Sequence, residues 1–115
     1  MKRVSTHVLD MVRGKPAQNV PVRLEKKDDA SGVWQLLTAA QTDKDGRCPQ
    51  LLRGDDDLSA GTYRLIFDTG SYYTSQNIAA LFPAVHVTFE ARDSDSQFHI
   101  PLLLSPNGYT TYRGS

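Results

Sequence analysis

The feature that most constrains this chain is alternation with a period of two. Val20, Val22 and Leu24 alternate with Pro21, Arg23 and Glu25, and Tyr63, Leu65 and Phe67 alternate with Thr62, Arg64 and Asp68. Val85, Val87, Phe89 and Ala91 alternate with His86, Thr88, Glu90 and Arg92, and Phe98, Ile100, Leu102 and Leu104 with Gln97, His99, Pro101 and Ser105. Successive side chains of a strand point to opposite faces, so each segment reads as a strand with one apolar face. Ile66 is the one apolar residue on the polar face of its segment. Val4 to Leu9 reads as a first strand, with Val4, Thr6 and Val8 on one side and Ser5, His7 and Leu9 on the other.

Turn signals separate these runs: Asp28-Asp29-Ala30-Ser31-Gly32, Asp43-Lys44-Asp45-Gly46, Gly54 to Ser59, and Ser105-Pro106-Asn107-Gly108. Asn-Gly supplies the positive φ angles of a tight turn, so the last predicts a hairpin into Tyr109-Thr110-Thr111-Tyr112. One helix is expected, Ser75 to Leu81, capped by Thr74 or Ser75, favoured by Ala79-Ala80 and stopped by Pro83. Seven or eight short strands, each greasy on one face, predict two antiparallel sheets packed face to face, an all-β sandwich. No repeat or linker divides the chain, so residues 1–115 are expected to form one domain.

Composition narrows the partners. Thirteen Lys plus Arg balance thirteen Asp plus Glu over 115 residues, which lacks the cationic excess that nucleic acids or acidic membranes require. Cys48 is the single cysteine, and with three histidines no zinc spacing exists. The residues after Met1-Lys2-Arg3 are too polar for a signal peptide, and Leu102-Leu103-Leu104 is far too short to span a bilayer. The chain reads as cytoplasmic.

Few residues offer chemistry. Imidazole suits proton transfer near neutrality, and His7 and His99 both fall on strand faces turned away from the core, although an exposed histidine is the ordinary outcome of that pattern. His86 lies on the polar face of its strand and is assigned no chemical role. Arg47, emerging from the Asp45-Gly46 turn, offers a fork of donors to a planar, electron-rich ligand, against the ordinary outcome of a solvated arginine. Asp43-Lys44-Asp45-Gly46 is no calcium loop, since Gln41 and Leu52 stand where the first and last ligands belong. Asp55-Asp56-Asp57 reads as a solvated turn, and Cys48 as a small half-buried residue without an activating base. The terminal Tyr112-Arg113-Gly114-Ser115 is aromatic, basic and small where chains ordinarily fray, which an ordered last strand would explain.

Two longer motifs carry more. Ser5-Thr6-His7-Val8-Leu9-Asp10 with Gly14-Lys15-Pro16-Ala17 resembles the opening motif of the 5-hydroxyisourate hydrolases, the transthyretin-related proteins of purine breakdown. His99-Ile100-Pro101-Leu102-Leu103-Leu104-Ser105-Pro106 with Tyr109-Thr110-Thr111-Tyr112-Arg113-Gly114-Ser115 is similar to that family's C-terminal signature. Asp45-Gly46-Arg47 and Phe82-Pro83 fall in matching places. The resemblance implies a transthyretin-like sandwich of two four-stranded sheets with one short helix, assembled as a homotetramer, a dimer of dimers with active sites between dimers. It implies His7, Arg47, His99 and Ser115 as catalytic residues, Arg47 holding the substrate, and Tyr112 and Arg113 shaping its pocket. The implied reaction opens the N1–C6 bond of 5-hydroxyisourate to give 2-oxo-4-hydroxy-4-carboxy-5-ureidoimidazoline, without metal or organic cofactor, in urate degradation. His7 is favoured as general base, with His99 and the Ser115 hydroxyl orienting it or the water. Gln97 departs from the family, which has a histidine there, but is not the matching catalytic position. A noncatalytic transthyretin-like carrier is the alternative, and an adhesion sandwich a third reading.

Overall fold

The computed structural model describes residues 2–53 and 58–115; the Asp55-Asp56-Asp57 run lies outside them. Two sheets form a sandwich. The first has the order β2 (Lys15–Pro16), β1 (Arg3–Asp10), β8 (Gln97–Ser105), β9 (Gly108–Thr111), with β5 (Arg47–Cys48) also pairing to β1. The second has the order β4 (Trp34–Gln41), β3 (Pro21–Lys27), β6 (Gly61–Phe67), β7 (Val85–Ala91). The expected two sheets are thus present, the first widened by the two-residue β5 and, against the antiparallel expectation, joined through the parallel pair β1–β8.

The alternating faces pack as the sequence requires. Val4, Val8, Val22, Leu24, Tyr63, Leu65, Phe67, Phe98, Ile100 and Leu102 are buried in one core between the sheets. The Phe89 and Phe98 rings, 5.0 Å apart, join β7 to β8 across it. β4 shows no such alternation: Thr38 is buried while Leu36 is exposed. Leu24 pairs with Thr38 and Glu25 with Leu36, which leaves Leu37 as the extra residue of a bulge in β4, and a shift of one residue exchanges faces.

β1 and β8 run parallel, pairing Ser5 with His99 and His7 with Pro101. The Pro101 carbonyl accepts from Thr111 Oγ1, so Pro101 turns its backbone toward β9, where it has no N–H to offer. β9 ends at Thr111, opposite Leu102, and the chain rejoins β8 only where Gly114 N–H donates to the His99 carbonyl at 2.7 Å. Residues 112 and 113 bow outward between those points.

The helix is not where the sequence argument put it. Instead of Ser75–Leu81, α1 spans Thr69–Thr74, and Ser75 is its C-cap. Asp68, at the end of a strand pattern, is the cap: its side chain accepts from Ser71 N–H at 3.1 Å. Tyr72 and Tyr73 bury against the core, whereas Asn77, at φ of 59°, ends the turn in the left-handed region. Burial of two tyrosines outweighs the weak helix preference of Ala79-Ala80. Asp10 ties α1 to β1, accepting from Val12 and Arg13 N–H at 3.0 Å each and from the Tyr72 hydroxyl at 2.7 Å. Among the described residues no helix is long and apolar enough to cross a membrane.

Candidate active site

Outward parity brings Ser5 and His7 of β1 and His99 of β8 onto one face of the first sheet, and β5 adds Arg47 directly opposite His7. Arg47 is presented by a tight turn. Asp43 Oδ1 accepts from the backbone N–H of Asp45 and Arg47 at 2.9 Å each, and Asp43 N–H donates to the Arg47 carbonyl at 2.9 Å. The Arg47 N–H above all, then that of Asp45 and the charges of Arg47 and His7, hold the Asp43 carboxyl below its ordinary value against the opposing effect of burial. Gly46, at φ of 76°, closes the turn against β1, where a Cβ would collide with the Val8 carbonyl. His7 Nε2–H donates to the Asp45 carbonyl at 2.8 Å, fastening the same turn from the other side.

His99 is half-buried. Its Nδ1 lies 2.9 Å from Ser5 Oγ, and its ring edge backs onto Gly114, where a Cβ would stand 2.6 Å from Cδ2. Burial first, then the positive charges of Arg47 and His7, hold His99 below its ordinary value of 6.5, so the imidazole is neutral at physiological pH. Arg113 stacks its guanidinium on Phe98 at 4.3 Å, donates to the Gln97 carbonyl at 3.3 Å and reaches Asp95 at 3.5 Å. That anchor lays Gly114 and Ser115 beside His99.

These residues surround a cavity of about 470 Å³ whose lining includes Arg3, Ser5, Arg47, His99, Arg113 and Ser115. Among the described residues three arginines and no Asp or Glu side chain line it. Of the residues expected from the sequence, Arg47, His99, Arg113 and Ser115 converge there. His7 stands beside it, joined to the Arg47 turn and not among the lining residues. Tyr112 turns instead to a separate apolar cleft with Val87, Phe89, Phe98 and Ile100. His86 is exposed on β7, away from the cavity. Cys48 is fully buried, and burial together with Asp43 pushes its thiol up to about 11, leaving it protonated and inert. Among the described residues no group of three His, Cys, Asp or Glu side chains converges as a metal site.

Ser5, Arg3, Asp43 and Gly114 join the site without having been assigned to it from the sequence. Ser5 had one available signal, its shared parity with His7. Its contact with His99 depends on strand pairing between residues 94 positions apart.

The sequence and the fold are similar to those of known proteins. Mouse 5-hydroxyisourate hydrolase is 43% identical over 97% of this chain and 94% of its own. The structure of Klebsiella pneumoniae 5-hydroxyisourate hydrolase superposes with a TM-score of 0.86 at 31% identity, over 100% of both chains. Sea bream transthyretin, in complex with thyroxine, superposes with a TM-score of 0.90 at 31% identity, over 97% of this chain and 94% of that one. The HIUase/Transthyretin family model matches residues 4–114, and with that match, the two-sheet sandwich and these relatives, the chain belongs to the HIUase/Transthyretin family.

Proposed function

We propose that this chain hydrolyses 5-hydroxyisourate, opening the six-membered ring at N1–C6 to give 2-oxo-4-hydroxy-4-carboxy-5-ureidoimidazoline in urate degradation. The observation that carries this reading is the convergence of a neutral imidazole, His99, with Arg47, Arg3 and Arg113 in one polar cavity. An oxygen-rich, planar heterocycle fits such donors; a carrier for an apolar molecule needs an apolar lining, which three guanidinium groups do not supply.

His99 Nε2 takes a proton from water as the water oxygen adds to the C6 carbonyl. Arg47 stabilises the negative charge that develops on the carbonyl oxygen. The C6–N1 bond then breaks, and the imidazolium returns its proton to N1, so that water alone is consumed. General base catalysis contributes about 10²- to 10⁴-fold, and a fixed oxyanion donor about 10²- to 10³-fold. The family resemblance favours His7 as base; two observations favour His99 instead. A carbonyl can only accept, so His7 Nε2 is committed as a donor to Asp45, and His99 lines the cavity where His7 does not. His7 then serves by fastening the turn that carries Arg47. Ser115, beside His99, orients the attacking water.

The same reading makes the protein a cytoplasmic homotetramer, a dimer of dimers. β7 and β9 are both open sheet edges, flanking the apolar cleft of Val87, Phe89 and Tyr112, and Met11, Leu81, Phe82 and Tyr109 are exposed nearby. A second copy would cover them, as unprotected edges and apolar patches favour. A buried, protonated Cys48 suits a reducing compartment. The test is the ultraviolet decay of freshly generated 5-hydroxyisourate, with circular dichroism of the product. Acceleration to one optically active product supports the hydrolase; decay at the spontaneous rate from well-folded protein refutes it and puts the carrier first. Light scattering on the eluted protein reads the tetramer.

A further inference from the structure

Among the described residues, one side chain hydrogen-bonds the His99 ring: Ser5, whose Oγ lies 2.9 Å from Nδ1. We infer, on the hydrolase reading above, that Ser5 is a positioning residue whose hydroxyl accepts the Nδ1–H of His99 and so keeps an unprotonated Nε2 turned into the cavity.

The placement follows from the parallel pairing of β1 and β8, which makes Ser5 and His99 direct partners on the outward face. A hydroxyl can donate or accept, so the distance alone leaves two arrangements. If Ser5 donated to Nδ1, Nε2 would carry the hydrogen and direct the positive end of the imidazole dipole into a cavity lined by Arg3, Arg47 and Arg113, with no Asp or Glu side chain in the lining to receive it. The other tautomer directs its negative end, the Nε2 lone pair, at those three cations. His7, the remaining titratable group that acts on His99, works in the same direction as Arg47, lowering the affinity of the ring for a second proton. The field of the cavity therefore selects Nδ1–H, and Ser5 accepts it.

This arrangement also suits the reaction. When Nε2 takes the water proton, Nδ1–H remains, and Ser5 accepts from it before and after the transfer without reorienting. The ring cannot swing away from Ser5, because Gly114 packs on its Cδ2 edge and holds the His99 carbonyl at 2.7 Å. Nε2 has no hydrogen-bond partner among the described residues, which leaves it for water.

The test combines nitrogen-15 spectra of histidine-labelled protein with kinetics of Ser5→Ala and Ser5→Thr. In the wild-type protein above neutrality, His99 should show a protonated Nδ1 and an unprotonated Nε2. Ser5→Ala should move the proton toward Nε2, lower kcat about 10- to 100-fold with KM little changed, and shift the acid limb of the pH profile to lower pH, since the imidazolium loses an acceptor. Ser5→Thr, which keeps the hydroxyl on a residue that strands favour, should restore both. An unchanged melting temperature in Ser5→Ala separates positioning from folding. A wild-type His99 protonated at Nε2 overturns the inference, as does Ser5→Ala with wild-type kcat and pH profile. The expected tautomer in a wild-type protein without turnover would instead sink the hydrolase reading and leave the placement of the imidazole by Ser5 standing.

Discussion

Adding a single methyl group at Gly114 should disable the site while leaving the sandwich intact. A Cβ at that position would stand 2.6 Å from His99 Cδ2, with the His99 carbonyl and Pro101 Cγ each 3.3 Å away. Carbon atoms rest at about 3.5 to 4.0 Å, so the imidazole and the terminal segment must separate by about 1 Å. Yielding on either side is damaging. If the ring moves, it leaves Ser5 and misaligns Nε2; if the segment moves, it gives up the Gly114–His99 hydrogen bond and carries Arg113 and Ser115 out of the cavity. Misplacement by about 1 Å costs about 10²-fold in rate, equivalent to about 2.7 kcal/mol of barrier. The core is untouched, because Gly114 sits outside both sheets' inner faces and contacts only the outward side of β8. Gly114→Ala should therefore lose about 10²-fold in kcat, read from the ultraviolet decay of 5-hydroxyisourate, with an unaltered thermal transition. Wild-type turnover in a protein confirmed to carry the alanine would show that the terminal segment does not position the catalytic groups.

Arg47→Ala should lower turnover about 10²- to 10³-fold without moving the melting temperature, since Arg47 is exposed; near-normal turnover would remove it from the oxyanion role. Following His99 by nuclear magnetic resonance should give a titration midpoint below 6.5, and Arg47→Gln should raise it, because the Arg47 charge is the second cause of the depression after burial. The sign extends to stability: the unfolded chain takes up this proton more readily than the folded one, so the contribution is lost as pH falls from 6.5 through the folded midpoint and is restored above it. A midpoint unmoved by Arg47→Gln would show that the two groups do not interact. Tyr72→Phe strips the buried Asp10 carboxylate of the hydroxyl 2.7 Å away, and should cost about 1 to 3 kcal/mol in urea unfolding; a neutral result would mean that Asp10 is satisfied by the backbone amides alone.

Legibility from the sequence followed the range of the forces involved. Strand faces, the Asn107-Gly108 hairpin and the 43–46 turn rest on neighbouring residues, and all three are where periodicity and turn chemistry placed them. The helix was misplaced because its cap, Asp68, lies on the end of a strand pattern, and because its stability comes from burying Tyr72 and Tyr73, which is invisible to local propensity. β4 hides its period because the bulge at Leu37 breaks its own alternation.

For the site, the residues at either end of the chain betrayed their family through motif, and outward parity correctly turned His7 and His99 from the core. Parity says which face a side chain takes but not what stands across from it. That Ser5 meets His99, that His7 spends its Nε2 on Asp45, that Tyr112 faces an apolar cleft and that Gly114 seals the imidazole are all decided by which strands pair and in what register. Period and turn preferences are local, so they are enough to say which chemical groups the chain carries and which strand faces display them; which nitrogen of His99 meets Ser5 rests on the pairing of β1 with β8, because hydrogen bonds between strands close contacts across 94 residues of chain.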